Sequence, residues 1–482
     1  MGCSCDCCLS LPLSGDCREL SATFQVSKRS SAHIFWFSAG LGVHHVDGRP
    51  HWSGLADHTW SMDTSTITAC LEADHAADLR KAAQRLEGVA RHTLIEESDD
   101  LGARIGHRVL LKPENLQLTG SFKIRGAYNK VASLNQDELD RGIVTASAGN
   151  HAQGVAFAAR SRGAKATIVM PRITPPLKVD ATRAYGAEVV LQGEVFDESS
   201  DYALGLARDR GMTFVPPFDD YEVVCGQGTI AMEILQDVPD VTDIVVPLGG
   251  GGLGAGVALA VKTFKPEVRV IGATPVGSPA WRESLTAGHV VAADQMRTAA
   301  EGVAVRRPGD LNYALLSRYM DDLVQVTESD ISEMILFMLE KHKLVVEAAG
   351  AVSLAALGQL DLQSDVFRSA PGPHVIVPII SGGNIDTVTM GAVIQRGMIS
   401  RGRIMQFGVE LPDVPGQLVK VATVLADLRA NVIELNHDQF KSSGHYDNGV
   451  LLEVTVETNG PDHITQILDT LRSRGFQVHQ NY

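Results

Sequence analysis

The stretch QLTGSFKIRGA, residues 117–127, sets one lysine, Lys123, between a Thr-Gly-Ser turn and an Arg-Gly pair. A solvated surface lysine needs no such frame; an amine that must be held still and made reactive does. Three further loops carry polar or flexible residues. GGGGLGAG (249–256) follows an apolar strand pattern and precedes an apolar helical one. Consecutive glycines let backbone N–H groups approach a phosphate, and a helix N-terminus adds a favourable dipole. The run also satisfies G-x-G-x-x-G at Gly249, Gly251 and Gly254. Taken alone, that is weak evidence for a dinucleotide site, and a tight strand-to-helix turn is the competing reading. SAGNHAQG (147–154) and SGGN (381–384) each follow an apolar strand, at the carboxyl ends where α/β sheets bind ligands. Each alone reads as a helix cap. One lysine, one phosphate cradle and two polar loops together suit a phosphorylated aldehyde held to the lysine as a Schiff base.

The elements that must position these loops alternate. RVLLKPE, GIVTAS, KATIVMP, AEVVLQG, TDIVVPLGG, VRVIGATP and HVIVPIISGG read as strands, separated by helical patterns such as AGNHAQGVAFAARSRG, VDATRAYG and SDYALGLARDRG. That order predicts an α/β fold of open twisted parallel sheets with helices on both faces. Residues 62–94 read as helix, with apolar positions three and four apart through 76–90. The catalytic region is expected over 62–397, with a smaller subdomain at about 143–220 inserted in the larger one. RGMISRGR (396–403) reads as a glycine-arginine hinge, centred on 398–402. Residues 403–482 follow the order βαββαβ, a ferredoxin-like unit. Residues 1–61, with three of the four Trp and no sustained periodicity, are expected to lie outside the functional fold, as an unstructured or non-native leader.

With 44% hydrophobic residues the chain has enough apolar material for packed cores, and a net charge of −15 argues against a nucleic-acid partner. The apolar run IFWFSAGLGV (34–43) is too short to span a bilayer. Asp6 stands where a myristoylation signal wants Ser or Thr. No membrane attachment and a cytoplasmic location are expected. Five of the seven cysteines lie in the first 17 residues, which argues against a disulfide framework for the body. CSCDCC lacks the second, distant Cys pair of a zinc site, and no metal is expected there.

KPENLQLTGSFKIRGA, SAGNHAQGVA, GQGTIAMEI, PLGGGGLGAG, VVEAAGA and SGGNID resemble, in the same order, the motifs of the threonine dehydratase branch of the fold-type II pyridoxal phosphate enzymes. The match runs from about 75 to 397. The last 80 residues resemble an ACT regulatory domain, with DVPGQL as its strand-to-helix turn.

The resemblance implies roles. Lys123 would hold pyridoxal 5'-phosphate covalently and act as general base; Phe122 would pack near its ring. Asn150 would hydrogen-bond the ring 3-hydroxyl, and Ser381 would face the ring nitrogen. Gly249, Gly250, Gly251, Gly252 and Leu253 would hold the phosphate. Ser147, Ala148, Gly149, Asn150 and His151 would grip the substrate carboxylate. Glu233 is a weak candidate for a cation ligand, and a helix-surface glutamate is the competing reading. Racemases of this family carry a serine at the position matching Ala148, on the face opposite the lysine. The implied activity is dehydration and deamination of L-threonine to 2-oxobutanoate and ammonia, with side activity on L-serine. An amino-acid effector at the ACT domain and a homo-oligomer, dimer or tetramer, are implied too. The alternatives are a serine racemase or serine-preferring dehydratase, an amino-acid sensor with a decayed catalytic half, and a nicotinamide-dependent oxidoreductase. The last needs an acidic residue where VRVIGATP ends in Thr274 and Pro275.

Overall fold

A computed structural model describes residues 62–360, 373–438 and 449–481, together with a short antiparallel pairing of His45–Val46 with Arg49–Pro50. Apart from that pairing, the expected leader, its cysteine tract included, lies outside the described residues.

Three sheets organise the body. The largest has the strand order Asp322–Val326, Arg269–Pro275, Asp243–Pro247, Val375–Ile380, Arg108–Pro113, Glu96–Glu97. All neighbours run parallel except the last pair. The central strands Asp243–Pro247, Arg269–Pro275 and Val375–Ile380 are buried at every position. Continuous apolar runs are what a parallel sheet covered on both faces requires. Two clusters cover the two faces. One contains Leu79, Ile234, Leu259 and Val377; the other contains Val245, Ile335, Val352 and Ile376. The smaller sheet, also parallel, runs Glu188–Leu191, Ala166–Met170, Ile143–Ala146, Thr213–Phe214. These strands fall inside the stretch expected to form the inserted subdomain.

The last sheet is antiparallel, in the order Asn431–Asp438, Gly449–Glu457, Ile404–Pro412, Gln477–Gln480. Helices Gln417–Asp427 and Pro461–Ser473 complete its βαββαβ order, and Phe407, Val409, Leu425, Leu452 and Ile467 form its core. The ferredoxin-like arrangement predicted from the order of patterns is therefore present.

Two boundaries differ from the sequence reading. The expected single helix over 62–94 is two, Thr64–Leu71 and His75–Leu86. Asp63 and Asp74 explain it: each accepts an N–H at a helix start, from Thr66 and Ala77, so a second cap interrupts the run. The hinge is shorter than 398–402. Helix Thr387–Ser400 runs through 398–400, and the chain turns only at Arg401 to Arg403, with Gly402 at φ 64°. Gly397 does not break the helix, because the missing Cβ lets it lie directly on Leu336 of helix Glu328–Phe337. No helix among the described residues is long and apolar enough to cross a membrane.

Candidate active site

Lys123 is the first residue of helix Lys123–Ser133. The turn before it is fastened to the loop after strand Val375–Ile380. Phe122 N donates to Ser381 O at 3.0 Å, Ser121 bridges Gly382, and Gly383 N donates to Gly120 O at 2.9 Å. Gly120 adopts φ 71°, a left-handed conformation that glycine takes without strain. Asn384 Nδ2 adds a bond to Thr119 O at 2.8 Å. Two of the four loops singled out in the sequence are thus one hydrogen-bonded unit.

Asn150 joins the third loop to that unit. It opens helix Asn150–Ser161, which packs on helix Lys123–Ser133 at Gly154, where a Cβ would stand 3.2 Å from Lys123 O. Its Oδ1 accepts from Asn384 Nδ2 at 2.7 Å, and its Nδ2 donates to Glu347 Oε1 at 2.7 Å. The chain Asn384 to Asn150 to Glu347 orients the Asn150 amide. The Glu347 backbone N–H is held by Gly382 O at 3.1 Å. Burial pushes the Glu347 carboxyl up to about 7.

The Lys123 amine donates to Pro217 O at 2.7 Å and lies 5.2 Å from the centroid of the Phe122 ring. Enclosure lowers its pKa to about 8, and the nearby Glu347 carboxylate partly offsets that effect. A lysine with this pKa holds a far larger neutral, nucleophilic fraction near neutral pH than an ordinary lysine does. His151 is 3% exposed, and its Nε2 faces Val215 O at 3.0 Å, which requires the proton on Nε2. Burial, reinforced by Lys123, holds the ring neutral, with a pKa of about 3. Its side chain is therefore committed to the smaller sheet, and what it can offer a substrate is its backbone N–H. Ser147 Oγ accepts from Gly149 N at 3.3 Å. Ala148 and Gly149 stand beside them, half-buried. The N–H groups of a helix's first turn lack partners within it and favour an anion. The start of helix Asn150–Ser161 can therefore receive a carboxylate.

The glycine loop leads from strand Asp243–Pro247 into helix Gly252–Phe264. Here side chains are excluded. A Cβ on Gly251 would stand 2.5 Å from the Trp281 ring, one on Gly252 2.8 Å from Phe218 O, and one on Gly250 would enter the Phe218 ring. Gly251 also adopts φ 97°. Leu253, 5% exposed, closes the loop against the core. Phe218 follows Pro217, the acceptor of the lysine, so this fourth loop reaches Lys123 through the segment 215–218. A cradle of backbone N–H groups at a helix N-terminus fits a phosphate, and the enclosed lysine fits an aldehyde. The chemistry of the donor set therefore matches pyridoxal phosphate.

Ser381 is 4% exposed, with Oγ 3.3 Å from Ala349 O. Glu233 is neither a cation ligand nor a free surface group. Its Oε1 receives Arg125 at 2.6 Å, its Oε2 receives Lys112 at 2.6 Å, and Arg125 also grips Glu114 at 2.8 Å. Two cationic side chains occupy the oxygens a metal ion would need. The sequence reading overlooked Glu347 and Asn384, although both lay inside quoted motifs, and it gave no weight to Pro217, whose backbone carbonyl carries no sequence signal.

A family model described as pyridoxal-phosphate dependent enzyme matches residues 86–384. The L-threonine ammonia-lyase of Thermotoga maritima is 43% identical over 403 residues, 83% of this chain and 98% of that protein. Among solved structures, the processed form of threonine deaminase isoform 2 from Solanum lycopersicum superposes with a TM-score of 0.62 at 37% identity, over 70% of this chain and 94% of that one. Serine racemase from Dictyostelium discoideum superposes with a TM-score of 0.59 at 31% identity, over 64% and 98%.

Proposed function

Because the chain belongs to the pyridoxal-phosphate dependent enzyme family, we propose that it dehydrates and deaminates L-threonine to 2-oxobutanoate and ammonia, with slower turnover of L-serine to pyruvate. The observation that carries this reading is the Lys123 amine. It is enclosed, depressed to about 8, and framed by three loops whose donors match one cofactor.

In this reading Gly249 to Leu253 would hold the cofactor phosphate through backbone N–H groups, Asn150 would orient the ring hydroxyl, and Ser381 would meet the ring nitrogen. Lys123 would hold the aldehyde. When bound, the cofactor supplies an electron sink that acidifies the substrate Cα–H and lets the β-hydroxyl leave. The first turn of helix Asn150–Ser161, with Ser147, Ala148 and Gly149 before it, receives the substrate carboxylate. Lys123 would take the Cα proton as general base. Ser381, a hydroxyl and not a carboxylate, would not keep the ring nitrogen protonated, which would favour loss of the β-substituent. Incubating the protein with pyridoxal phosphate and L-threonine and assaying 2-oxobutanoate tests this; no 2-oxoacid from threonine or serine would refute it.

The antiparallel unit at 404–481 is an ACT regulatory domain in this reading, supported by its strand order. It binds an amino-acid effector where copies pair, in a homo-oligomer, dimer or tetramer, of a cytoplasmic enzyme. An effector must bind two states unequally. An amino acid that shifts both melting temperature and rate would bear this out; no such amino acid among the common twenty would contradict it.

A further inference from the structure

The glycine loop is clamped from behind by two side chains. Trp281, 1% exposed, donates from Nε1 to Gly249 O at 2.6 Å. Asn312, fully buried, donates from Nδ2 to Gly250 O at 2.9 Å. Gly309 N adds a second bond to Gly250 O at 3.1 Å, and Ala255 N takes Gly251 O at 2.8 Å. Three successive carbonyls of the loop are therefore fixed.

A trans peptide is planar, so its C=O and the next residue's N–H point opposite ways. Fixing Gly249 O aims the N–H of Gly250. Fixing Gly250 O aims that of Gly251, and fixing Gly251 O aims that of Gly252. A loop of four glycines has the greatest conformational freedom the chain can offer, and these bonds remove it before any phosphate arrives. Asn312 is itself held: its backbone N–H and that of Asp310 reach the two carboxylate oxygens of Asp219, at 3.3 and 3.0 Å. Trp281 stacks on Tyr313, centroids 6.4 Å apart.

Asn312 also donates from Nδ2 to Phe218 O at 3.2 Å. The preceding carbonyl, Pro217 O, receives the Lys123 amine. One side-chain amide thus touches both the phosphate cradle and the segment that holds the lysine.

We propose that Asn312 and Trp281 are positioning residues that aim the glycine-loop N–H groups at the cofactor phosphate, with Asn312 also keeping that cradle in register with Lys123. The proposal rests on the reading of this site as a pyridoxal phosphate site. Its chemistry is selective. The bonds to Gly249 and Gly250 act on the phosphate, and the register they set with Lys123 matters only when a phosphate is present; neither side chain touches the lysine where the aldehyde reacts.

The test titrates apoenzyme with pyridoxal 5'-phosphate and, separately, with pyridoxal, following absorbance. Asn312→Leu removes the amide at similar volume; Trp281→Phe removes one donor and keeps a stacking ring. Each variant is expected to raise the dissociation constant for pyridoxal 5'-phosphate about tenfold or more, as loss of an aimed hydrogen bond implies, and that for pyridoxal by less than about twofold. Should Asn312→Leu not fold, Trp281→Phe carries the same comparison through Gly249. Equal weakening of both ligands, an unchanged affinity for both, or failure of both variants to fold would mark the pair as general packing and overturn the proposal. Wild-type protein that captures neither aldehyde would refute the cofactor reading and this one with it. Capture by wild type without discrimination in the variants would refute only the clamp.

Discussion

Asn150 Nδ2 and Glu347 Oε1 are 2.7 Å apart, joined by a hydrogen bond that links the start of helix Asn150–Ser161 to the residue just before helix Ala348–Ala356. The bond fixes which edge of the Asn150 amide faces the site, and it places a carboxyl close enough to raise the pKa of Lys123.

Glu347→Gln should separate these two effects. The amide oxygen still accepts from Asn150, but the negative charge is gone, so the Lys123 amine should titrate below about 8. The pH dependence of covalent cofactor capture by apoenzyme reads this directly, because only the neutral amine attacks. Capture should rise with pH around a midpoint near 8 in the wild type and at lower pH in the variant. An unchanged or higher midpoint would show that Glu347 does not act on the lysine.

The same carboxyl has a stability signature. Its folded-state pKa is raised from 4.5 to about 7, so the folded chain holds more protons than the unfolded chain between those values. Stability should therefore fall as pH rises from 4.5 to 7, and Glu347→Gln should flatten that fall. Melting temperatures of the two proteins across this window decide it; parallel curves would contradict the assignment.

Gly251→Ala should damage the cradle by two routes. It forces a side chain into φ 97°, a strain of about 1–3 kcal/mol, and drives a methyl to 2.5 Å from the Trp281 ring. Pyridoxal phosphate affinity should drop about tenfold or more while circular dichroism stays native. Wild-type affinity in the variant would show that the loop does not hold the phosphate.

Much of this architecture is legible in the sequence. The buried strands read as continuous apolar runs because both faces of a parallel sheet are covered, and the C-terminal unit read as βαββαβ because its patterns alternate cleanly. Lys123, the glycine loop, Asn150 and Ser381 stood out because their residue types are unusual in their settings. The remainder was hidden for a physical reason. Pro217 acts through a carbonyl that every residue has, and Asn312 and Trp281 sit some 30 to 60 positions from the loop they grip. Glu233 was misjudged because its partners, Arg125 and Lys112, lie 108 and 121 residues away.

Ala148 bears on the choice between elimination and racemisation. A racemase needs an acid/base group on each face of the substrate Cα, and a methyl group cannot carry a proton. Incubation with L-serine should yield pyruvate with little or no D-serine on a chiral column. D-serine formed at a rate comparable to pyruvate would move the protein to the racemase branch, whose Dictyostelium member shares its fold.

The most direct measurement concerns Lys123 itself. The account makes one amine responsible both for anchoring the cofactor and for moving the Cα proton. Lys123→Ala, mixed with pyridoxal phosphate and L-threonine, should lose the absorption band of the lysine-bound cofactor and the formation of 2-oxobutanoate together, with a native melting curve. A variant that still produces 2-oxobutanoate at a rate near wild type would contradict the central claim.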